Sequence, residues 1–465
     1  MENLKQKILD YIDSQKDEMI STLSELISYP SVKGEPADGA PFGVPAAKCL
    51  KRALQICESF GFTTRNFEGY VGTASYTEGE PELGILAHLD VVPEGAGWTG
   101  EPYKARIADG KLYGRGAIDD KGPAVAVIYA MKALKELNIP LKKGFKLILG
   151  TDEENGSADL EYYFKQENPP KYSFTPDGNY PVINIEKGMI RANFGAKAAQ
   201  PFSARALMEL SGGTVVNAVP QSAYAVLGGV SVSEIKAAAE RLNLPVKFST
   251  KDFGGCIRID AEGKSAHAST PEIGANAITA LIRLIAELKL TDDASRRIAK
   301  LSELFPYGET DGESLNIKMS DTESGALTCV LSIINFEAGE LSCSIDIRLP
   351  ASYTVADVTS KLIPTLEGAD FKVEKCGGAE PHKVSADSPF VQKLLEVYED
   401  VTGEKGECIA IGGGTYVHEI EGGVAFGAEF LGEDNHMHSP DEFIKLDQLL
   451  LNAKMFALAI AKICG

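Results

Sequence analysis

The stretch Gly84-Ile85-Leu86-Ala87-His88-Leu89-Asp90 constrains this chain more than any other. An apolar run of strand length ends in a histidine, and a carboxylate follows two residues on. Side chains of an extended segment alternate faces, so His88 and Asp90 are predicted on the same side. A neutral imidazole, a good zinc ligand, then stands beside a carboxylate able to accept its second ring N–H and fix its tautomer. The pattern recurs where Phe145 to Gly150 runs into Thr151-Asp152-Glu153-Glu154, and again where Tyr172 to Pro176 runs into Asp177. Three predicted strands thus deliver ligand-type residues at their C-terminal ends, where open α/β sheets build their sites. A hydrolytic metal centre on such a sheet would require this arrangement.

At 465 residues the chain is too long for one ordinary core, so two domains are expected. A formal net charge of −20 argues against nucleic acid, whose phosphates would be repelled. No apolar run reaches about 18 residues and no apolar segment follows the first residues, so neither a membrane span nor a signal peptide is expected. The reading is a cytoplasmic protein. Eight cysteines are scattered without a C-x-x-C pair, which fits reduced thiols without a catalytic or ligand role.

Apolar spacing predicts a helix over Leu4–Ile27, a second over Pro45–Phe60 capped by Gly61, and a third running from Lys121-Gly122-Pro123 to Leu137. Asp119 therefore falls at or just before a helix N-terminus, a placement that the helix dipole alone would favour. After Lys187 the ligand-type clusters stop. Between Gly188 and His382 the order reads strand, helix, strand, helix, then strand, strand, helix, strand, which suggests two α+β halves. The chain then returns to the first domain with a helix over Pro389–Thr402, a strand over Glu407–Ile411, a turn at Gly412-Gly413-Gly414-Thr415, a strand over Val424–Leu431 and a closing helix over Leu446–Ile463. A glycine-rich turn lets backbone N–H groups approach an anion, so Gly413 and Gly414 are substrate-binding candidates, although a plain tight turn explains the glycines equally well.

The segments H-L-D (88–90), G-R-G-A-I-D-D-K-G (114–122), T-D-E-E (151–154), T-P-D (175–177) and M-H-S-P-D-E (437–442) occur in one order. Together they resemble the co-catalytic zinc metallopeptidases that include carnosinases, aminoacylases, succinyl-diaminopimelate desuccinylase and glutamate carboxypeptidase. Within them the likeness is greatest to PepV-type dipeptidases, also called Xaa-His dipeptidases or carnosinase-like enzymes, and it runs from about Leu23 to the end. The resemblance implies an α/β catalytic domain with a mostly parallel open sheet flanked by helices. It also implies an inserted α+β lid of two ferredoxin-like halves. The expected division is 1–187 and 383–465 for the catalytic domain and 188–382 for the lid.

The resemblance further implies two Zn2+ per chain, with Mn2+ or Co2+ as substitutes. His88 and Asp177 would bind one ion, Glu154 and His438 the other, and Asp119 would bridge both. Glu153 matches the general base and Asp90 the partner of His88. Singly, Glu153-Glu154 reads as a solvated acidic turn; five motifs in one order reverse that reading. In the insertion, His267 matches a lid histidine that stabilises the oxyanion, Asn217 a polar residue near the same oxygen, and Arg348 a bidentate clamp on the substrate's terminal carboxylate. His436 lies two residues before His438 and departs from many PepV-like sequences, which puts the identity of this ligand in question. His382 and His418 are read as structural or surface residues.

The function expected is hydrolysis of dipeptides with a free N-terminus, including β-alanyl dipeptides, by a monomer. An amino-acid N-deacylase of the same family is the alternative within hydrolases. A non-catalytic peptide-binding protein is the alternative outside them, and it would have no need of Glu153.

Overall fold

The computed structural model describes residues 2–76, 81–199 and 204–465. By its internal contacts the chain forms two compact units. One comprises Met1–Ile185, Lys383–Ile409 and Gly414–Gly465; the other comprises Glu186–His382 with Ala410–Gly413.

The first unit is built on a mixed sheet. In spatial order it runs Thr63–Phe67, Val71–Ser75, Phe145–Gly150, Leu83–His88, Tyr172–Thr175, Gly423–Ala425 and Val182–Glu186. Its four central strands, from Phe145–Gly150 to Gly423–Ala425, are parallel, and the flanking pairs are antiparallel. The Leu83–His88 strand is buried at every position, as a parallel strand covered on both faces must be. Helix Lys121–Glu136 packs on that strand and on helix Leu446–Cys464, and its first eleven residues are all buried. Because the central strands are parallel and His88 lies opposite Gly150, the segments that follow His88, Gly150 and Thr175 leave the sheet at one edge.

The second unit contains one eight-stranded antiparallel sheet. One half orders its strands Lys247–Phe253, Cys256–Glu262, Ser222–Gly228, Ala206–Gly212, with helices Val232–Leu242 and Ala277–Glu287. The other orders them Thr328–Glu337, Glu340–Leu349, Gly188–Lys197, Lys372–Ala379, with helix Val355–Gly368. Each half has the strand order of a ferredoxin-like unit, the first permuted in sequence. Pairing of Leu210–Gly212 with Ile334–Phe336 joins them, and a single hydrophobic cluster runs beneath both.

Three element predictions need correction. The N-terminal helix is two helices, Glu2–Ser14 and Lys16–Ile27, broken at Gln15, whose backbone leaves the helical region. The strand expected over Val424–Leu431 stops at Ala425, because Gly427 turns the backbone to a left-handed φ of 81°. In the second unit, the expected order of strand, helix, strand, helix, then strand, strand, helix, strand leaves out strands Ala206–Gly212, Ser222–Gly228 and Lys247–Phe253 and helix Asp293–Leu304. The Lys247–Phe253 strand is a polar sheet edge with little hydrophobic signal.

Candidate metal centre

Each ligand-type residue predicted for the first unit stands at the carboxyl edge of the parallel strands. His88 ends its strand, Glu153 and Glu154 form a single 3-10 turn beyond Gly150, and Asp177 follows the Thr175 strand end. Asp119 immediately precedes Asp120, the N-cap of helix Lys121–Glu136. His438 comes from the loop before the last strand and helix.

Asp119 divides its carboxylate between the two imidazoles. Its Oδ1 lies 3.0 Å from His88 Nε2 and its Oδ2 lies 2.8 Å from His438 Nε2. His88 Nε2 also faces Asp177 Oδ2 at 3.6 Å, and His438 Nε2 faces Glu154 Oε1 at 3.2 Å. Two groups of potential ligands result, His88 with Glu153 and Asp177, and His438 with Asp119 and Glu154. His436 belongs to neither group; it is exposed, with its ring 5.7 Å from that of Phe443.

The second ring nitrogen of His88 is held differently from the expectation. Nδ1 lies 3.0 Å from the backbone carbonyl of Asp90 and 3.5 Å from its Oδ1. The carboxylate is committed elsewhere: Oδ1 accepts the N–H of Glu153 at 3.2 Å and Oδ2 that of Glu154 at 3.1 Å. Asp90 therefore orients both glutamates as well as the histidine. A neutral ring that donates Nδ1–H to that carbonyl would have its lone pair at Nε2, on the side of Asp119 and Asp177.

Several positioning residues were not assigned a role from sequence. Glu442, buried, accepts the N–H of Ile118 at 3.0 Å and of Asp119 at 3.4 Å through Oε1, while Oε2 meets Arg115 Nη1 at 2.5 Å. Asp120 accepts the backbone N–H of His88 at 3.0 Å. Asp159 Oδ2 accepts the N–H groups of Thr151 and Asp152 at 2.6 and 3.0 Å and the hydroxyl of Tyr416 at 2.5 Å. Gly150 makes room for that hydroxyl, since a Cβ there would lie 1.8 Å from it. Arg115, Asp120 and Glu442 lie inside the motifs, which was a usable signal; Asp159 and Tyr416 had none.

The electrostatics follow from crowding carboxylates in a buried place. Burial opposes charge on His88, but the nearby carboxylates of Asp119, Asp177 and Asp90 outweigh burial and hold its pKa well above the usual value. His438 is likewise held up at about 11, burial being outweighed by Asp119 and Glu154. Burial raises Glu154 to about 7, with the charge of Asp119 acting in the same direction. Burial also raises Glu153 and Asp177. Asp119 is held below the carboxylate range: burial pushes upward, but both histidines pull more strongly down. The donor set fits divalent cations. It offers two imidazoles and at least three carboxylates, and the buried Nε2 of His88 has no hydrogen-bond partner among the described residues. Bound cations would take the place of the protons that the two histidines otherwise hold against these oxygens.

The sequence pattern of Peptidase family M20/M25/M40 matches residues 84–462. This chain belongs to that family. Among curated relatives of this M20 peptidase, the "Putative dipeptidase YtjP" of Bacillus subtilis is 36% identical over 457 residues, covering 96% of this chain and 97% of the relative. The "Beta-Ala-Xaa dipeptidase" of Lactobacillus delbrueckii subsp. lactis is 33% identical over 459 residues, with 96% of each chain covered. Human carnosine dipeptidase 1 shares the fold, with a TM-score of 0.61 at 18% identity over 99% of both chains.

In the second unit of this M20 peptidase, Ala218 pairs with His267 on a two-stranded ladder, and Ala268 N–H donates to the carbonyl of Asn217 at 2.9 Å. Asn217 and His267 are therefore neighbours, both exposed. His267 Nδ1 lies 2.6 Å from Ser269 Oγ. Arg348 is buried, and its fork is closed on a protein carboxylate. Nε and Nη2 donate to the two oxygens of Asp346 at 2.6 and 3.1 Å, and Nη1 donates to the carbonyl of Gly412 at 2.7 Å. Three of five guanidinium N–H groups are thus engaged, leaving one on each terminal nitrogen. Gly413 and Gly414 lie in the turn after Cys408–Ile411, and neither has a left-handed φ.

Proposed function

We propose that this M20 peptidase is a metal-dependent dipeptidase acting on short peptides with a free N-terminus, β-alanyl dipeptides included. One observation carries the reading: the carboxylate of Asp119 is split between His88 and His438, with Glu153 standing in the His88 group. Dipeptidase names on relatives that cover 96% of this chain at 33 to 36% identity support the substrate class.

His88 and Asp177 would hold one ion, Glu154 and His438 the other, and Asp119 would give one oxygen to each. The N/O donor set suits Zn2+, with Mn2+ or Co2+ as substitutes. A pair of such ions supplies a Lewis acid for the scissile carbonyl and acidifies the attacking water. Glu153 takes a proton from that water and gives it to the leaving amine. Asp90 fixes the direction of Glu153 through its backbone N–H, so the base does not drift from its place.

The second unit is the lid in this reading. His267 and Asn217 donate to the oxyanion as it forms, and Arg348 offers its two remaining N–H groups to the terminal carboxylate. The turn at Gly413-Gly414 offers backbone N–H groups to the same carboxylate. The doubled lid lets one chain work alone as a cytoplasmic monomer, His267 serving its own chain's metals. No helix among the described residues is long and apolar enough to cross a membrane. Mixing a His267→Ala chain with a Glu153→Gln chain tests the single-chain arrangement: the mixture stays inactive, whereas recovered activity would mean that subunits share residues.

The decisive experiment for the substrate class is a panel of free and N-acetylated dipeptides with each of Zn2+, Mn2+ and Co2+. Free dipeptides are cleaved and acetylated ones are not; the reverse preference would make the enzyme a deacylase.

A further inference from the structure

The second unit's sheet leaves one face off its core, and on three adjacent strands of that face three cations stand around one carboxylate. On strand Gly188–Lys197, Ile190, Ala192 and Phe194 enter the hydrophobic cluster, so Met189, Arg191 and Asn193 point to the other side. Residues directly opposite on antiparallel strands share a face. Met189 is paired with Arg348, Arg191 with Asp346 and Asn193 with Ser344 on one side. On the other side, Arg191 is paired with Gly377 and Asn193 with Lys375. Arg348, Arg191 and Lys375 therefore stand on alternate rungs, on one face of three adjacent strands.

A concavity of about 490 Å³ lies beside Arg348, lined by Met189, Arg191, Asn193, Ser344, Lys375 and Gly377 and reaching Val216, the neighbour of Asn217. Its charge is not balanced. Asp346 is fully buried and gives both oxygens to Arg348, with Arg191 Nε at 3.7 Å. Lys375 forms no ion pair among the described residues. Gly377 keeps the floor open, since a Cβ there would meet nothing within 4 Å. In a chain of net charge −20 this cationic hollow serves no purpose in solubility.

We propose that this hollow is a subsite for an acidic side chain, so that the enzyme prefers dipeptides whose carboxyl-terminal residue is Asp or Glu. The proposal rests on the reading of Arg348 as the contact for the substrate's terminal carboxylate. With that group held at Arg348, the side chain of the same residue falls on the neighbouring rungs, where Arg191 and Lys375 donate charge-assisted hydrogen bonds and Asn193 and Ser344 neutral ones.

Comparison of kcat/KM for Ala-Glu with Ala-Gln and for Ala-Asp with Ala-Asn isolates charge from shape. The acidic member is favoured about tenfold, and the preference shrinks as ionic strength rises. In the Arg191→Gln/Lys375→Gln variant the rate on Ala-Glu falls to that on Ala-Gln. Gly377→Leu fills the hollow with all charges kept, and lowers activity on Ala-Glu relative to Ala-Gly. Equal rates for acid and amide in the natural enzyme, or an acid preference that survives in the double variant, would overturn the subsite. Calorimetric binding of Ala-Glu and Ala-Gln to the Glu153→Gln protein reads the same discrimination without turnover. If no dipeptide is cleaved yet Ala-Glu binds more tightly, the dipeptidase reading fails and the subsite stands; equal binding removes the subsite whatever is cleaved.

Discussion

Arg115 and Glu442 form a buried ion pair 2.5 Å long, and Glu442's other oxygen holds the backbone that presents Asp119. The pair acts on the metal centre without supplying a ligand. Glu442→Gln leaves the arginine charge buried and uncompensated, which costs about 3–5 kcal/mol of stability. It also loosens Asp119. Urea unfolding and zinc titration of the same variant check both effects: both midpoint and affinity fall together.

Adjacent glutamates are expected to fail in different ways. Glu153→Gln retains both metals and lowers kcat by at least about 10², the loss typical for a missing general base. Glu154→Gln weakens metal binding instead. Elemental analysis beside kinetics separates the two, and exchanged effects would exchange their roles.

Asp90→Asn replaces one acceptor oxygen by a donor that opposes a glutamate N–H or the His88 ring. Losses of about 10- to 100-fold in metal affinity or activity are expected, the usual range for residues that orient ligands. The variant should keep its fold, which far-UV circular dichroism would verify, because Asn matches Asp in shape.

The fold and the centre were legible in the sequence to different depths. Buried parallel strands carry their signal in every residue, so the strands ending at His88, Gly150 and Thr175 could be read directly. Polar edge strands such as Lys247–Phe253 carry little hydrophobic signal and were missed. Four of the five proposed ligands could be read because they end or follow a strand or precede a helix at a motif; His438 lies in a loop and was read from its motif alone. Asp159 holds the backbone N–H groups of Thr151 and Asp152, and Tyr416 reaches Asp159 by a side-chain hydrogen bond across 257 positions, which no local pattern announces. Arg348 shows a further limit: its residue type was legible, but its engagement with Asp346 two residues earlier on the same strand face became visible only with coordinates.

The cysteines should be chemically quiet. Burial pushes the thiols of Cys57 and Cys464 up to about 12 and raises those of Cys49, Cys329 and Cys343 as well. Since the thiolate is the reactive form, raising the pKa lowers reactivity at neutral pH. A thiol reagent should modify at most Cys256, Cys376 and Cys408 in the native protein, and all eight after unfolding. Activity should survive the native modification.

Zinc titration of metal-stripped protein, followed by hydrolysis of a free β-alanyl dipeptide, tests the account most directly. Activity should be absent without metal, rise with added zinc and level off at two equivalents per chain. A plateau at one equivalent, or turnover by the stripped protein, would contradict the shared role assigned to Asp119.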